Sequence, residues 1–155
     1  MIFRSMVETD LAAVTRLDQI ANPRPWTDSM FREELRLNSF NRVVLNDRME
    51  LLAFMIARRF HDEWHLLAIK VDPDARGQGI ARSLLSELVE HARQSKARAL
   101  ILEVRSSNHP ARNLYARLGF QEIGIRKGYY PDLVGPEDAV VMERQTRTLD
   151  TFNPF

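Results

Sequence analysis

The feature that most constrains the fold is a glycine-containing turn between an apolar strand and a long amphipathic helix. The segment from Val71 to Arg82 reads Val-Asp-Pro-Asp-Ala-Arg-Gly-Gln-Gly-Ile-Ala-Arg. Glycines let the backbone approach a ligand closely, and the first turn of a helix carries N–H groups without intrahelical acceptors. With the helix dipole behind them, these donors suit a pyrophosphate, and Arg76 and Arg82 add positive charge. The segment therefore predicts a phosphate-binding turn.

Two common nucleotide-binding motifs do not fit this turn. A P-loop requires Lys followed by Ser or Thr directly after its glycines, and neither follows Gly79. The dinucleotide-binding fingerprint requires three glycines at another spacing, and only Gly77 and Gly79 are present. The segment is therefore either a phosphate-binding turn of another class or an ordinary strand-to-helix turn.

Hydrophobic periodicity around the turn predicts helices alternating with strands. Helices are expected after the N-caps Thr9 and Thr27, from Ile80, and from Pro110 to the C-terminal cap Gly119. Strands are expected at residues 43–45, 51–58, 64–71, 99–104, 121–127 and 138–143. This order predicts a mixed α/β (α+β) layer architecture. The length of 155 residues suits one domain, expected over residues 1–145 with a loose tail over 146–155.

Composition narrows the function classes. The formal net charge is +1, from 22 Lys plus Arg against 21 Asp plus Glu, which supports neither a nucleic-acid-binding nor a membrane-binding surface. The absence of cysteine excludes disulfides, Cys-based zinc sites and thiol nucleophiles. The segment from His61 to His65 lacks the spacing of a zinc-protease helix and predicts a polar hairpin, so no metal site is expected. Without a signal peptide or an apolar span, a cytoplasmic location is expected.

Two residues have the chemistry to move protons. Glu103 is a carboxylate within the apolar run from Leu100 to Val104, where burial is costly unless the charge is paired or hydrated. It is half of a salt bridge with Arg105 or Lys70, a residue at an exposed strand end, or a general base. Tyr115 is either a core aromatic or a functional phenol. The residues alone leave these alternatives open.

A family resemblance bears on these alternatives. Arg76, Gly79 and Ala81 occupy the defined positions of Gln/Arg-x-x-Gly-x-Gly/Ala, so the turn resembles the acyl-CoA-binding signature of the GCN5-related N-acetyltransferase (GNAT) family. The Val-Asp-Pro lead-in, the following helix and the segment from Asn108 to Phe120 keep that family's order. The resemblance implies a mostly antiparallel sheet, splayed at its middle, with helices on both faces. It also implies acetyl-CoA as co-substrate, without a metal.

The resemblance also implies roles for individual residues. Glu103 would accept the proton of an attacking amine, Tyr115 would protonate the departing thiolate, and backbone N–H groups near Ile69 would polarise the thioester carbonyl. Asn108 would contact the co-substrate, or otherwise simply cap its helix. The implied co-substrate contacts are Ile69, Lys70, Val71, Arg76, Gly77, Gln78, Gly79, Ile80, Ala81, Arg82 and Asn108.

Further segments are similar to the members of that family that acetylate protein N-termini. They are Pro25-Trp26-Thr27, the run from Leu102 to Asn108, Tyr129-Tyr130-Pro131 and Glu137-Asp138-Ala139. This similarity implies the N-terminal alanine of ribosomal protein S18 as acceptor, with Trp26 and Tyr129 or Tyr130, on loops, as substrate contacts or as packing aromatics. Two alternatives remain open: acetylation of lysine side chains or a small amine, and a non-catalytic acetyl-CoA-binding module.

Overall fold

The computed structural model describes residues 1–37, 39–132 and 134–147. Within these ranges there are seven strands and four α-helices. The elements are β1 Ile2–Ser5, α1 Leu11–Ala21, α2 Asp28–Arg36, β2 Phe40–Leu45, β3 Leu51–Phe60, β4 Glu63–Val71, α3 Ile80–Gln94, β5 Ala99–Arg105, α4 His109–Arg117, β6 Gln121–Asp132 and β7 Gly135–Gln145. Hydrogen bonds join the strands in the order β1-β2-β3-β4-β5-β7-β6, which confirms the mixed α/β prediction.

The chain divides into two compact units, and the first comprises residues 1–59 and 66–88. Its antiparallel ladders join β1 to β2 and β2 to β3. One face of this part of the sheet packs on α1 and α2, and the core includes Leu11, Val14, Phe31, Phe54 and Ile56, all nearly inaccessible to solvent. Burial of such side chains stabilises the fold by about 1.5–3 kcal/mol each.

The N-terminal part of this unit differs from the sequence predictions in two ways. Strand β1 was not predicted, because a four-residue strand carries too little periodicity and is formed by pairing with β2. Thr9 is not the N-cap of α1. It lies within a short 3-10 helix, Glu8–Asp10, and the Asp10 carboxylate instead accepts hydrogen bonds from the Val7 N–H and Arg4, both at 2.8 Å. The second predicted cap is confirmed, since Thr27 Oγ1 accepts from the Met30 N–H.

The second unit comprises residues 60–65 and 89–155. A parallel ladder joins Glu63–His65 to Ala99–Ile101, and antiparallel ladders join β5 to β7 and β7 to β6. The α4 helix follows β5, with Pro110 in its first turn as predicted. Gly119, at φ +88°, ends it as the predicted C-terminal cap.

The last two strands are longer than the sequence predicts. They extend through Asp132 and from Gly135, so Tyr129 and Tyr130 lie in β6 and not in a loop. Thr146, placed in the predicted tail, is buried and donates from Oγ1 to the Ala97 carbonyl at 2.8 Å. Residues 148–155, the rest of that predicted tail, lie outside the described residues.

Candidate active site

The predicted phosphate-binding turn lies in the first unit and is held by hydrogen bonds within the turn and to β3. The Asp72 N–H donates to the Leu52 carbonyl at 2.8 Å, and the Asp72 carboxylate accepts from the Asp74 N–H at 2.9 Å. These bonds fix the chain as it leaves β4. The Gly79 carbonyl accepts from the Ser83 N–H at 3.0 Å, which makes Gly79 the first acceptor of α3.

This arrangement leaves the backbone N–H groups of the first turn of α3 available to a ligand. The N–H groups of Ile80, Ala81 and Arg82 precede the first intrahelical donor, Ser83, so they have no acceptor within α3. Gly77 and Gly79 have φ of +80° and +77°, and a Cβ built at either position meets no atom within 4 Å. Both glycines are exposed. The turn therefore has the open backbone surface that a pyrophosphate requires.

The other predicted contacts in this unit surround the turn. Arg76, Gln78 and Arg82 are exposed, and Ala81 is half-buried. Ile69, Lys70 and Val71 form the end of β4 and are half-buried. Ile80 is buried and anchors the start of α3, so its backbone and not its side chain is available to a ligand.

Trp26, also in the first unit, has clear packing contacts. Its ring centroid lies 5.1 Å from that of Phe31, and the backbone N–H of Trp26 donates to Asp18 Oδ2 at 2.7 Å. Asp18 is buried and also accepts from the Asn22 side chain. The structure thus accounts for Trp26 as a packing residue, and contact with a substrate stays a prediction.

In the second unit, the predicted base is paired with an arginine that the sequence analysis did not identify. Arg126 Nη1 lies 3.0 Å from Glu103 Oε1. Arg105, one of the partners that the sequence suggested for Glu103, pairs with Glu137 Oε2 at 3.2 Å. Strand register brings Glu103 to Arg126: Arg126 lies opposite Ala139 on β7, and Glu103 lies opposite Val141 on the other edge of the same strand. Such proximity requires strand pairing and has no signal in local sequence.

Two tyrosines stand beside this pair. The Arg126 guanidinium lies 4.5 Å from the ring centre of Tyr129, and the rings of Tyr129 and Tyr130 meet edge to face at 5.0 Å. The Arg105 guanidinium lies 4.3 Å from the Tyr130 ring centre. The structure therefore brings Glu103 together with both predicted substrate tyrosines.

A bulge in β6 positions these tyrosines. Between the pairs Arg126–Ala139 and Tyr130–Glu137, β6 has three intervening residues and β7 has one. Gly128 lies in the bulge at φ +62°, and its N–H donates to Asp138 Oδ1 at 2.9 Å. Bulges re-aim side chains along a strand. Gly128, directly after Lys127, was the local sequence signal from which this bulge could have been predicted.

Tyr115 is buried near the end of α4. Its ring packs 5.8 Å from that of Phe120. Burial raises the pKa of the Tyr115 phenol to about 12, with a smaller contribution from Tyr130. Burial likewise raises the pKa of Tyr130 to about 12, with contributions from Tyr129 and Glu103. Glu103, Tyr130 and Tyr115 thus share one electrostatic environment, in which both phenols keep their protons at neutral pH.

The remaining predicted co-substrate contact is Asn108, at the start of α4. Asn108 Oδ1 accepts from the Ala111 N–H at 3.2 Å, so Asn108 caps α4.

Among residues 1–37, 39–132 and 134–147, no cluster of His, Asp and Glu side chains forms a group able to hold a metal ion. No α-helix in these ranges is long and apolar enough to span a membrane.

Comparisons with known proteins identify the family of this chain. The model of the acetyltransferase (GNAT) family matches residues 11–120. The [ribosomal protein bS18]-alanine N-acetyltransferase of Escherichia coli K12 is 38% identical over 138 residues, which cover 89% of this chain and 93% of that protein.

Solved structures of acetyltransferases are also similar to this chain. The crystal structure of the ribosomal-protein-S18-alanine N-acetyltransferase from Escherichia coli has a TM-score of 0.87 at 36% identity, covering 94% of each chain. A GNAT superfamily phosphinothricin acetyltransferase from Sinorhizobium meliloti, in complex with AcCoA, has a TM-score of 0.81 at 22% identity, covering 93% of this chain and 87% of that one. The latter similarity shows the fold alone. The chain belongs to the GNAT acetyltransferase family.

Proposed function

We propose that this GNAT family member transfers an acetyl group from acetyl-CoA to the α-amino group of a protein N-terminus, with the N-terminal alanine of ribosomal protein S18 as acceptor. The observation that carries the chemistry is the shared environment of Glu103, Tyr130 and Tyr115. The acceptor rests on the relative named for that reaction, with which this chain shares 38% of residues over 89% of its length. Such a substrate implies a cytoplasmic location, and residues 1–145 constitute the acetyltransferase domain.

Acetyl-CoA binds at the turn that opens α3. Its pyrophosphate is held by the N–H groups of Ile80, Ala81 and Arg82, beside the open surface at Gly77 and Gly79. The remaining co-substrate contacts are Arg76, Gln78, the strand end Ile69, Lys70 and Val71, and Asn108. Because the Asn108 side-chain oxygen already caps α4, its amide N–H₂ is the group left for the co-substrate.

Glu103 accepts the proton of the attacking amine. Its side chain is partly buried, with 23% of its surface exposed, so water and substrate can both reach it. An α-ammonium must lose a proton before its nitrogen can attack a thioester, and a positioned carboxylate speeds such steps by about 10²- to 10⁴-fold. Once Glu103 has taken this first proton, the neutral amine forms the C–N bond, and the second proton that attack leaves on nitrogen passes to solvent.

Tyr115 donates the proton that the departing thiolate needs. Its raised pKa of about 12 keeps the phenol protonated throughout the physiological range. The C–S bond breaks as the tetrahedral intermediate collapses, the thiolate takes the phenolic proton, and the phenolate regains a proton from solvent before the next turnover. No covalent enzyme intermediate is required, in keeping with the absence of cysteine.

Tyr129 and Tyr130 contact the acceptor peptide, with Trp26 as a further contact. Tyr129 is exposed at the surface of β6 and Tyr130 is half-buried beside Glu103. Their rings offer an apolar surface next to a carboxylate, which suits a small first residue that carries an ammonium group.

The proposal is tested with purified protein, acetyl-CoA and a peptide that begins with alanine and contains one lysine. A copy with a blocked N-terminus is the matched control, and mass spectrometry locates the added acetyl group. We expect acetylation of the free N-terminus alone. Acetylated lysine in both peptides would instead establish the side-chain alternative. Acetyl-CoA binding without any product would favour a small-amine acceptor or a non-catalytic module.

A further inference from the structure

The cluster around Glu103 already holds a cation that belongs to the protein itself. Arg126 Nη1 lies 3.0 Å from Glu103 Oε1, and the same guanidinium lies 4.5 Å from the centre of the Tyr129 ring. A carboxylate beside an aromatic face is an arrangement that binds cations, including ammonium groups. The arginine therefore occupies a site whose chemistry suits the α-ammonium of an acceptor.

The structure holds Arg126 less firmly than the neighbouring arginine. Its side chain is 56% exposed, whereas that of Arg105 is 25% exposed. Arg105 pairs with Glu137, and that carboxylate is itself fixed by the Ser107 N–H at 2.9 Å. Exposed ion pairs contribute little to stability because water and salt screen them. Arg126 can thus leave Glu103 at small cost, while Arg105 stays in place over Tyr130.

The cation site itself does not depend on Arg126 for its shape. The β6 bulge orients Tyr129, and the hydrogen bond from the Gly128 N–H to Asp138 Oδ1 holds this bulge in place. Glu103 lies within the β5–β7 ladder, opposite Val141. Both halves of the site therefore persist when the guanidinium moves away.

We propose that Arg126 is an internal competitor for the acceptor's ammonium group. Its guanidinium occupies the site formed by Glu103 and Tyr129, and the α-ammonium of the peptide replaces it before proton transfer. This inference rests on the proposed function, since it takes Glu103 as the residue that meets the attacking amine. Arg126 then raises the KM for the acceptor, because part of the acceptor's binding free energy is used to displace the arginine.

The test is steady-state kinetics with the alanine-initial peptide at saturating acetyl-CoA. Arg126→Gln should lower the KM for the peptide by roughly two- to fivefold, the range that one exposed ion pair supplies, with kcat within about twofold of wild type. Arg126→Lys retains a competing cation and should stay near the wild-type KM. Lys127→Gln removes the same charge one residue along β6 and is the matched control.

The outcomes separate this inference from the proposed function. An unchanged or higher KM in Arg126→Gln, with an active wild-type enzyme, would overturn the competitor role alone. An equal fall of KM in Lys127→Gln would also overturn it, because general charge removal would then explain the effect. A wild-type enzyme that acetylates no peptide would overturn the proposed function. Thermal melts of each variant establish that the comparisons involve folded protein.

Discussion

The turn that opens α3 and the cluster around Glu103 are built in opposite ways. The turn uses the backbone: its glycines have left-handed φ angles and its donors are the N–H groups that begin a helix. The cluster uses side chains, in which Arg126, Tyr129 and Tyr130 surround one carboxylate. A backbone site tolerates most side chains except where glycine is required, whereas a side-chain site depends on each residue.

The two regions also differ in how far apart their partners are along the chain. Within the turn, Asp72 bonds Asp74 and Gly79 bonds Ser83, spans of two and four residues, while the bond from the Asp72 N–H to the Leu52 carbonyl attaches the start of the turn to β3. In the cluster, Glu103 and Arg126 are 23 residues apart, and Arg105 and Glu137 are 32 apart. The first is therefore a local motif, and the second exists only once β5, β6 and β7 have paired.

The largest expected effect is a loss of turnover that leaves acetyl-CoA binding unchanged. Glu103→Gln and Tyr115→Phe should each lower kcat by about 10²- to 10⁴-fold, because each removes a group that transfers a proton. Acetyl-CoA affinity, measured by calorimetry, should stay within about twofold of wild type. Glu90→Gln, at an exposed carboxylate of α3, is the control. Wild-type turnover in both variants would remove these residues from the mechanism.

The next effect concerns the turn. Gly79→Val should weaken acetyl-CoA binding by roughly tenfold, because a β-branched residue at φ +77° is strained by about 1–2 kcal/mol. Gly124→Val is the matched control, since that glycine also has open space around it but no left-handed φ. The kcat at saturating acetyl-CoA should change little. Equal affinity in the two variants would show that the turn's conformation does not matter for binding.

A smaller effect is expected at the bulge of β6. Asp138→Ala removes the acceptor of the Gly128 N–H, a bond worth about 1 kcal/mol. Because the bulge aims Tyr129, the KM for the peptide should rise by roughly fivefold while acetyl-CoA affinity is unchanged. Asp47→Ala, at a fully exposed carboxylate, is the control. A change in acetyl-CoA affinity instead would contradict the assignment of this bulge to the peptide.

The smallest effect is a pH dependence of stability. The Ser107 hydroxyl and N–H, together with Arg105, hold the pKa of Glu137 below its usual range. A carboxylate with a lowered folded-state pKa stabilises the fold above its unfolded-state pKa of about 4.3, and this contribution is lost as pH falls through the folded-state value. Glu137→Gln should therefore lower Tm at pH 7, and the difference should close in acid. A difference that persists below pH 3 would exclude ionisation as its cause.

Local sequence was sufficient to predict most of the helices and their caps. The caps Thr27 and Gly119 and the apolar stripe of α3 follow from interactions within a few residues, and the structure confirms them. The turn at Gly77 and Gly79 is of the same kind. These features were predictable because helix caps, glycine conformations and helical periodicity depend on near neighbours in the chain.

The sequence by itself indicated the family, the order of the elements from α1 onward and the glycine-containing turn that opens α3. Tertiary structure decided that β1 forms and that the tyrosines lie in a bulged strand. It also decided that Glu103 pairs with Arg126. Each of these depends on strand register, and a shift of one residue moves every side chain to the opposite face. No local pattern specifies that register, so only the folded chain shows which charges meet.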